Sequence, residues 1–398
     1  MKLKNNIISP PILRISDEEN KERHADWLEL FFDLIFVAAI SQLALNLSSD
    51  YSFINFLESI PLFFVIWWGW VGHTFYLSRF GTDDILHRIL TMLQMLTVAA
   101  LAANVQGALT ISGASFAISY AILRLLLVAE YYRAGIHIEQ ARTLTNHYVK
   151  GFGVAAIIWA ISAFFPDPAR YLLWALALII DLLTPITASQ KQVKLPPHST
   201  HLPERFGLFT IILIGEAVVS IVFRVSDLGL TFITETTAIM GFIIVFTIWW
   251  GYFDESKGAS ARVQEAGNQI GKYQLWLYSH FPLLLGIVTL AAGIKHVISL
   301  DVWYLLPPME AWLLCSALAL TLLSLSLIFL SSFDYNECIS TYLLKLRLPY
   351  YIIIILVLLT GFLGSILPGS IILAILTALC IIKILISLIK PPKATCKI

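Results

Sequence analysis

The sequence predicts an all-α polytopic membrane protein of about twelve transmembrane helices, and three observations carry that expectation. Hydrophobic residues make up 58% of the 398-residue chain and charged residues only 13%, with a mean hydropathy of +0.80. Soluble domains carry roughly 25% charged residues. Apolar runs close to the ~20 residues that cross a bilayer recur along the whole chain, and lysine and arginine gather on one side of them.

The runs, bounded by charge or by Pro/Gly breaks, lie at about 27–47, 54–78, 88–108, 113–132, 148–165 and 169–188. They continue at about 204–224, 230–253, 273–294, 309–331, 347–367 and 369–389. Backbone groups facing lipid must be satisfied within their own segment, and runs of this length exclude a β-barrel. With the N-terminus inside, cytoplasmic segments hold 21 of the 26 Lys and Arg residues, while outer loops hold only Arg170, Arg224 and Lys295. Arg124 and Lys383 fall within spans. One helix more or fewer would scramble that asymmetry, so both termini are expected in the cytoplasm.

The chain also repeats itself. IWWGW at 66–70 recurs as IWWGY at 248–252, and ALAANV at 100–105 has a counterpart in TLAAGI at 289–294. FFPDPARYLLWALALIID at 164–181 parallels the stretch around 365–383. Two six-helix repeats in the same orientation follow, related by an axis along the membrane normal. The expected organisation is a cytoplasmic segment 1–26, a first repeat 27–188, a cytoplasmic linker 189–203, a second repeat 204–389 and a cytoplasmic tail 390–398.

Equal numbers of basic and acidic residues, 26 of each, give no nucleic-acid surface. Cys315, Cys338, Cys380 and Cys396 form no CxxC or Cys/His pattern, so neither a disulfide framework nor a metal site is expected. No cofactor motif stands out. The first 26 residues are polar, and the first apolar run begins too late for a cleaved signal peptide, which makes it an expected uncleaved anchor.

Function is sought among ionisable groups inside the spans, where an unpaired acid costs ~2.5–3.5 kcal/mol or more. Glu29 and Asp33 lie at i, i+4 on one helix face. Glu29, near the helix start, also reads as a snorkelling or capping acid. Asp33 is a turn deeper, beyond that explanation. Glu216, twelve residues into its run and ~18 Å deep by helical rise, is the first choice for function, with Gly215 beside it to allow close helix approach. Arg124 must pair, with Asp33 or Glu216 as its candidate partners. Asp181 and Lys383 hold matching places in the sixth helix of each half and are expected to form a structural ion pair. Trp67, Trp68, Trp70, Trp249, Trp250 and Tyr252 read as an interfacial aromatic belt, and His73 and His280 as satisfied histidines or as proton relays.

ELFFDLIFVAAISQL at 29–43 resembles the opening signature of the bacterial low temperature requirement protein A family, and ERFGLFTIILIGEAVVSI at 204–221 resembles its second. Length, helix count and signature order extend the resemblance over nearly the whole chain. It implies membrane location and fold, and carries over Glu29, Phe32, Asp33, Glu204, Arg205, Gly215 and Glu216 as family-typical residues. The same first segment is similar to the FSD-type motif of an endolysosomal potassium and proton channel family, with Phe32 where that motif has serine.

Three acids well within spans, Asp33, Asp181 and Glu216, face two bases, Arg124 and Lys383, so one carboxylate is left to bind a proton or a cation. The expectation is a multi-pass protein of the bacterial inner membrane acting as an ion- or proton-coupled transporter or channel. Its partners would be the lipid bilayer and a proton or monovalent cation. The alternative is a non-transport membrane factor, a membrane-embedded enzyme acting on lipids or the envelope, or a structural scaffold.

Overall fold

In a computed structural model of the chain, residues 9–14, 24–81, 83–198, 200–255, 270–331 and 337–388 are described, the side chains of 270 and 337–347 excepted. A helix covers each of the twelve apolar runs. The first six are α1 (Trp27–Ser49), α2 (Phe53–Arg79), α3 (Ile85–Asn104), α4 (Gly113–His137), α5 (Arg142–Ser162) and α6 (Ala169–Thr187). A short α7 (Ser189–Lys194) precedes α8 (His201–Leu228), α9 (Phe232–Trp249), α10 (Ile270–Ser299), α11 (Pro308–Ser331), α12 (Glu337–Thr360) and α13 (Gly369–Leu388). Among the described residues, ten helices are long and apolar enough to cross a membrane. The other two long helices are α5, whose first turns carry Arg142, His147 and Lys150, and α12, whose described apolar stretch is Leu348–Leu363. Of the expected N-terminal segment 1–26, residues 1–8 and 15–23 lie outside the described residues, as does the tail 390–398.

Local chemistry sets the helix ends. The Asp84 carboxylate accepts from the His87 amide at 3.1 Å and caps α3. Thr231 and Thr234 cap α9 reciprocally. Gly229, at φ +82°, follows the last residue of α8 in the left-handed conformation that ends helices cheaply. Hydroxyls inside the helices bond to carbonyls four residues back, as Thr184 does to Ile180 and Thr321 to Ala317, which satisfies them without water.

The chain divides into two compact units that do not coincide with its sequential halves. One unit takes the described residues up to 43 and 61–206; the other takes 44–60, 207–255 and 270–388. In the first, α3 packs on α4, α4 on α5 and α5 on α6. Gly151 lets α5 approach α6, since a Cβ there would lie 2.1 Å from Thr184 Oγ1. Tyr76, Phe80, Tyr131, Tyr148 and Phe152 form an aromatic core at one end, beside which β1 (Ile12–Leu13) pairs antiparallel with β2 (Phe80–Gly81). In the second unit, α10 packs on α11, α11 on α12, and α13 on both α12 and α9. The hairpin 44–60 belongs here because Tyr51 stacks on His296 at 5.4 Å and lies over Gly293, where a Cβ would meet its hydroxyl at 2.4 Å.

Candidate functional site

Two pairs of side chains with the same spacing meet in the first unit. Glu29 and Asp33 are one turn apart on α1, and His201 and Arg205 are one turn apart on α8. Arg205 Nη1 lies 2.9 Å from Glu29 Oε2, and its Nη2 donates to Asp33 Oδ1 at 2.5 Å. His201 Nε2 lies 2.8 Å from Glu29 Oε2. Asp33, His201 and Arg205 are fully buried, and Glu29 is 5% exposed. From α2, Trp70 Nε1 donates to Asp33 Oδ1 at 2.7 Å, and its ring meets Phe206 edge-on at 4.8 Å.

Ser78 makes this junction sensitive to a proton. Its hydroxyl donates to the Thr74 carbonyl at 2.8 Å, and the same oxygen lies 3.1 Å from His201 Nδ1. A hydroxyl has one hydrogen. With that hydrogen on Thr74, Nδ1 faces an acceptor while Nε2 faces a carboxylate, the arrangement of a protonated imidazole. Among the described residues, the two carboxylates meet the Arg205 guanidinium and the His201 imidazole, which can carry a second positive charge.

Arg124 pairs with Asp181, both buried, and Tyr120 donates to the other carboxylate oxygen at 3.4 Å. The guanidinium lies over Phe152 at 4.5 Å, and Gly72 leaves it room, since a Cβ there would sit 2.6 Å from Nη1. Near the start of α3, Arg133 grips Asp84, which also receives the Ser9 amide. Burial pushes the Asp84 carboxyl up, but bonds from Arg133 and from the His87 and Ser9 amides outweigh it and hold the group below its ordinary range. Glu130 on α4 is met by His73, His87 and Gln94.

The second unit holds less. Lys383 Nζ donates to Glu255 Oε1 at 2.5 Å and lies over the Tyr350 ring. His280 Nδ1 faces the Trp276 carbonyl at 2.8 Å and so carries the hydrogen, leaving Nε2 to accept from Tyr252 at 3.0 Å. Among the described residues no group of three or more His, Cys, Asp or Glu is arranged to hold a metal ion.

Several expectations change. Asp181 and Lys383 are not each other's partners: Arg124 and Glu255, each in the same unit as its partner, take those places. Arg124 therefore supports neither Asp33 nor Glu216. Glu216 is half-buried, with no ion pair or hydrogen bond among the described residues, and nothing lies within 4 Å of a Cβ built on Gly215. Depth along the run had marked Glu216, but its face of α8 decides its environment. Glu204 lies outward, 3.3 Å from His24. Trp67, Trp68, Trp70 and Tyr252 are buried in helix packing and do not form an interfacial belt. Arg205, carried over only as a signature residue, lies at the centre of the site. His201, four residues before Arg205 as Glu29 is before Asp33, was the overlooked signal. Glu130 closes the apolar run LLLVAEYY, where it looks interfacial until the two histidines are placed beside it.

The family model described as bacterial low temperature requirement A protein matches residues 24–385. An uncharacterized protein of Rhizobium meliloti (strain 1021) is 26% identical over 289 residues, which span 69% of this chain and 70% of that protein. No solved structure matches the chain.

Proposed function

Because the chain belongs to the bacterial low temperature requirement A protein family and buries two carboxylates against a single guanidinium and a histidine, we propose that it is a proton-coupled transporter or channel. In this reading it has twelve spans in two six-helix repeats and lies in the bacterial inner membrane with both termini in the cytoplasm. The observation that carries the reading is the junction of α1 and α8, where His201 is placed to hold one charge-balancing proton between Glu29 and Ser78.

Loss of that proton leaves a net negative charge in a dry site, which costs several kcal/mol unless a cation enters or the helices part. A second proton, on Glu29 or Asp33, removes one of the two anions that Arg205 holds and loosens α8 from α1. Proton occupancy thus sets how tightly two helices are clasped, which is the minimum a proton-coupled gate requires. Among the ionisable clusters of the chain, this one joins the two segments that carry the family signatures.

Reconstitution tests the reading. Purified protein in liposomes should carry a proton flux under an imposed pH gradient, and Glu29→Gln should reduce that flux about tenfold or more while leaving the protein folded. Flux absent from the wild type, or unchanged in Glu29→Gln, overturns it.

A further inference from the structure

The first unit contains a buried polar cluster that the α1–α8 junction does not use. His73 Nδ1 on α2 lies 3.2 Å from Glu130 Oε2, and His87 Nδ1 on α3 lies 3.5 Å from Oε1. Gln94 Nε2 donates to Oε2 at 2.9 Å. His73, Gln94 and Glu130 are each 1% exposed and His87 is 7% exposed. Among the described residues, His73 Nε2, Gln94 Oε1 and Glu130 Oε1 meet no hydrogen-bond partner, so His87 faces the carboxylate as an ion-pair contact that must close to pass a proton.

A structural ion pair needs one base for one acid. Here two imidazoles face opposite oxygens of one carboxylate, so the cluster has a proton acceptor at each end and a bridge between them. The ends differ in access. His87 is in the first turn of α3 and is the most exposed of the four. His73 is six residues before the end of α2, ~9 Å inward by helical rise. Its ring centre lies 4.1 Å from that of Phe32, tilted by 32°; Phe32 is the α1 residue immediately before Asp33 and lies between Glu29 and Asp33 in sequence. Tyr76 on α2 and Tyr131 on α4 also interact with Glu130, and around those two tyrosines stand Arg79, Asp84, Arg124, Arg133 and Tyr148. Arg133 is held by Asp84 and Arg124 by Asp181. Among the described residues, the two imidazoles are the basic side chains within 3.5 Å of the Glu130 carboxylate.

We propose that His87, Glu130 and His73 form a proton-binding relay that takes up a proton at His87 and delivers it toward the α1 carboxylates. A proton arriving on His87 Nε2 releases the Nδ1 proton to Glu130. The protonated carboxyl passes it to His73 Nδ1, and His73 gives up its Nε2 proton on the side of Phe32. One proton enters, one leaves, and each ring ends as the other neutral tautomer. The destination rests on the proton-coupled reading above; the binding of the proton does not.

The test uses the full-length protein, 15N-labelled at histidine, in lipid nanodiscs, with the His73 and His87 resonances identified by His73→Gln and His87→Gln. Glu130→Gln is expected to move the ring-nitrogen resonances of both histidines away from their wild-type positions, with Glu130→Asp restoring much of the wild-type pattern. Ring-nitrogen resonances that are alike with and without the carboxylate overturn the site. In proteoliposomes, Glu130→Gln and His87→Gln should each lower proton flux about tenfold while the His201 resonance keeps its wild-type position. Unchanged flux in both variants overturns the relay. A wild type without flux whose rings still depend on Glu130 upholds the binding site and rejects the transport reading. If Glu130→Gln fails to fold, His87→Gln, at the more exposed end, carries the same comparison.

Discussion

The two units solve the problem of burying polar groups in opposite ways. The first hides Glu29, Asp33, Arg205, His201, Arg124, Asp181 and Glu130 at 5% exposure or less. Among the described residues, the second sets Lys383 against a Glu255 that keeps 17% of its side chain exposed, His296 against Glu310 at 2.8 Å with both side chains more than a fifth exposed, and His280 in a neutral bond to Tyr252. Helix packing alone does not require the first solution, because the second unit packs α9–α13 and most of α8 with less fully buried charge among its described residues. A protein keeps buried ions where they do something apolar residues cannot. The difference therefore points to the first unit as the working part and to the second as its support.

The largest break in that contrast should come from Arg205→Gln. It strands two buried carboxylates, and removal of one partner from a buried pair costs about 3–5 kcal/mol. Detergent-extracted yield should collapse, and adding Glu29→Gln and Asp33→Asn should recover much of it. Arg124→Gln comes next, with one stranded acid and an expected loss of about 3 kcal/mol. Thermal unfolding should show Arg124→Gln with Asp181→Asn to be more stable than the sum of the single changes, and additivity would deny the pair.

In the second unit the corresponding change is Lys383→Met. Glu255 reaches solvent, so the loss should be only about 1–2 kcal/mol by the same thermal measurement. A loss as large as that of Arg124→Gln would erase the contrast. The Asp84 clamp should give a pH-dependent effect. Its folded carboxyl titrates below its unfolded value, so its contribution is present above about pH 4 and is lost as acid carries the pH down through the folded value. Asp84→Asn should flatten the acid limb of melting temperature against pH without changing the neutral plateau shape. The smallest effect belongs to Glu216→Gln, expected within about 0.5 kcal/mol of wild type and with unchanged flux. A dead but folded Glu216→Gln protein would move the working site onto the outer face of α8.

Hydropathy was enough to locate the long helices, ten of which are apolar enough among the described residues to cross a membrane, because a lipid-facing segment must be both long and apolar. The α1 acids were legible for the same reason, since a carboxylate at that depth demands a partner. The partner was not legible. Arg205 stands near a helix start, where any arginine is unremarkable, and only the packing of α8 against α1 turns it inward. Glu216 misled by the reverse route: rise along a helix measures depth in the bilayer but says nothing about which face a residue occupies. The expected pair of Asp181 with Lys383 rested on similar positions in sequence, which say nothing about contact; Arg124 and Glu255 are the partners found.

The span of chain between the partners at the α1–α8 junction has a consequence for biosynthesis. Arg205 and Asp33 are separated by 172 residues, and five further long helices are made between α1 and α8. When α1 leaves the ribosome it carries two acids whose cation does not yet exist. Each raises the cost of lateral insertion by ~2.5–3.5 kcal/mol. The first helix must therefore wait, protonated or held at the translocon, until α8 arrives to receive it. Nascent chains stopped short of residue 201 should carry a loosely inserted α1, while chains released after α8 should hold it firmly.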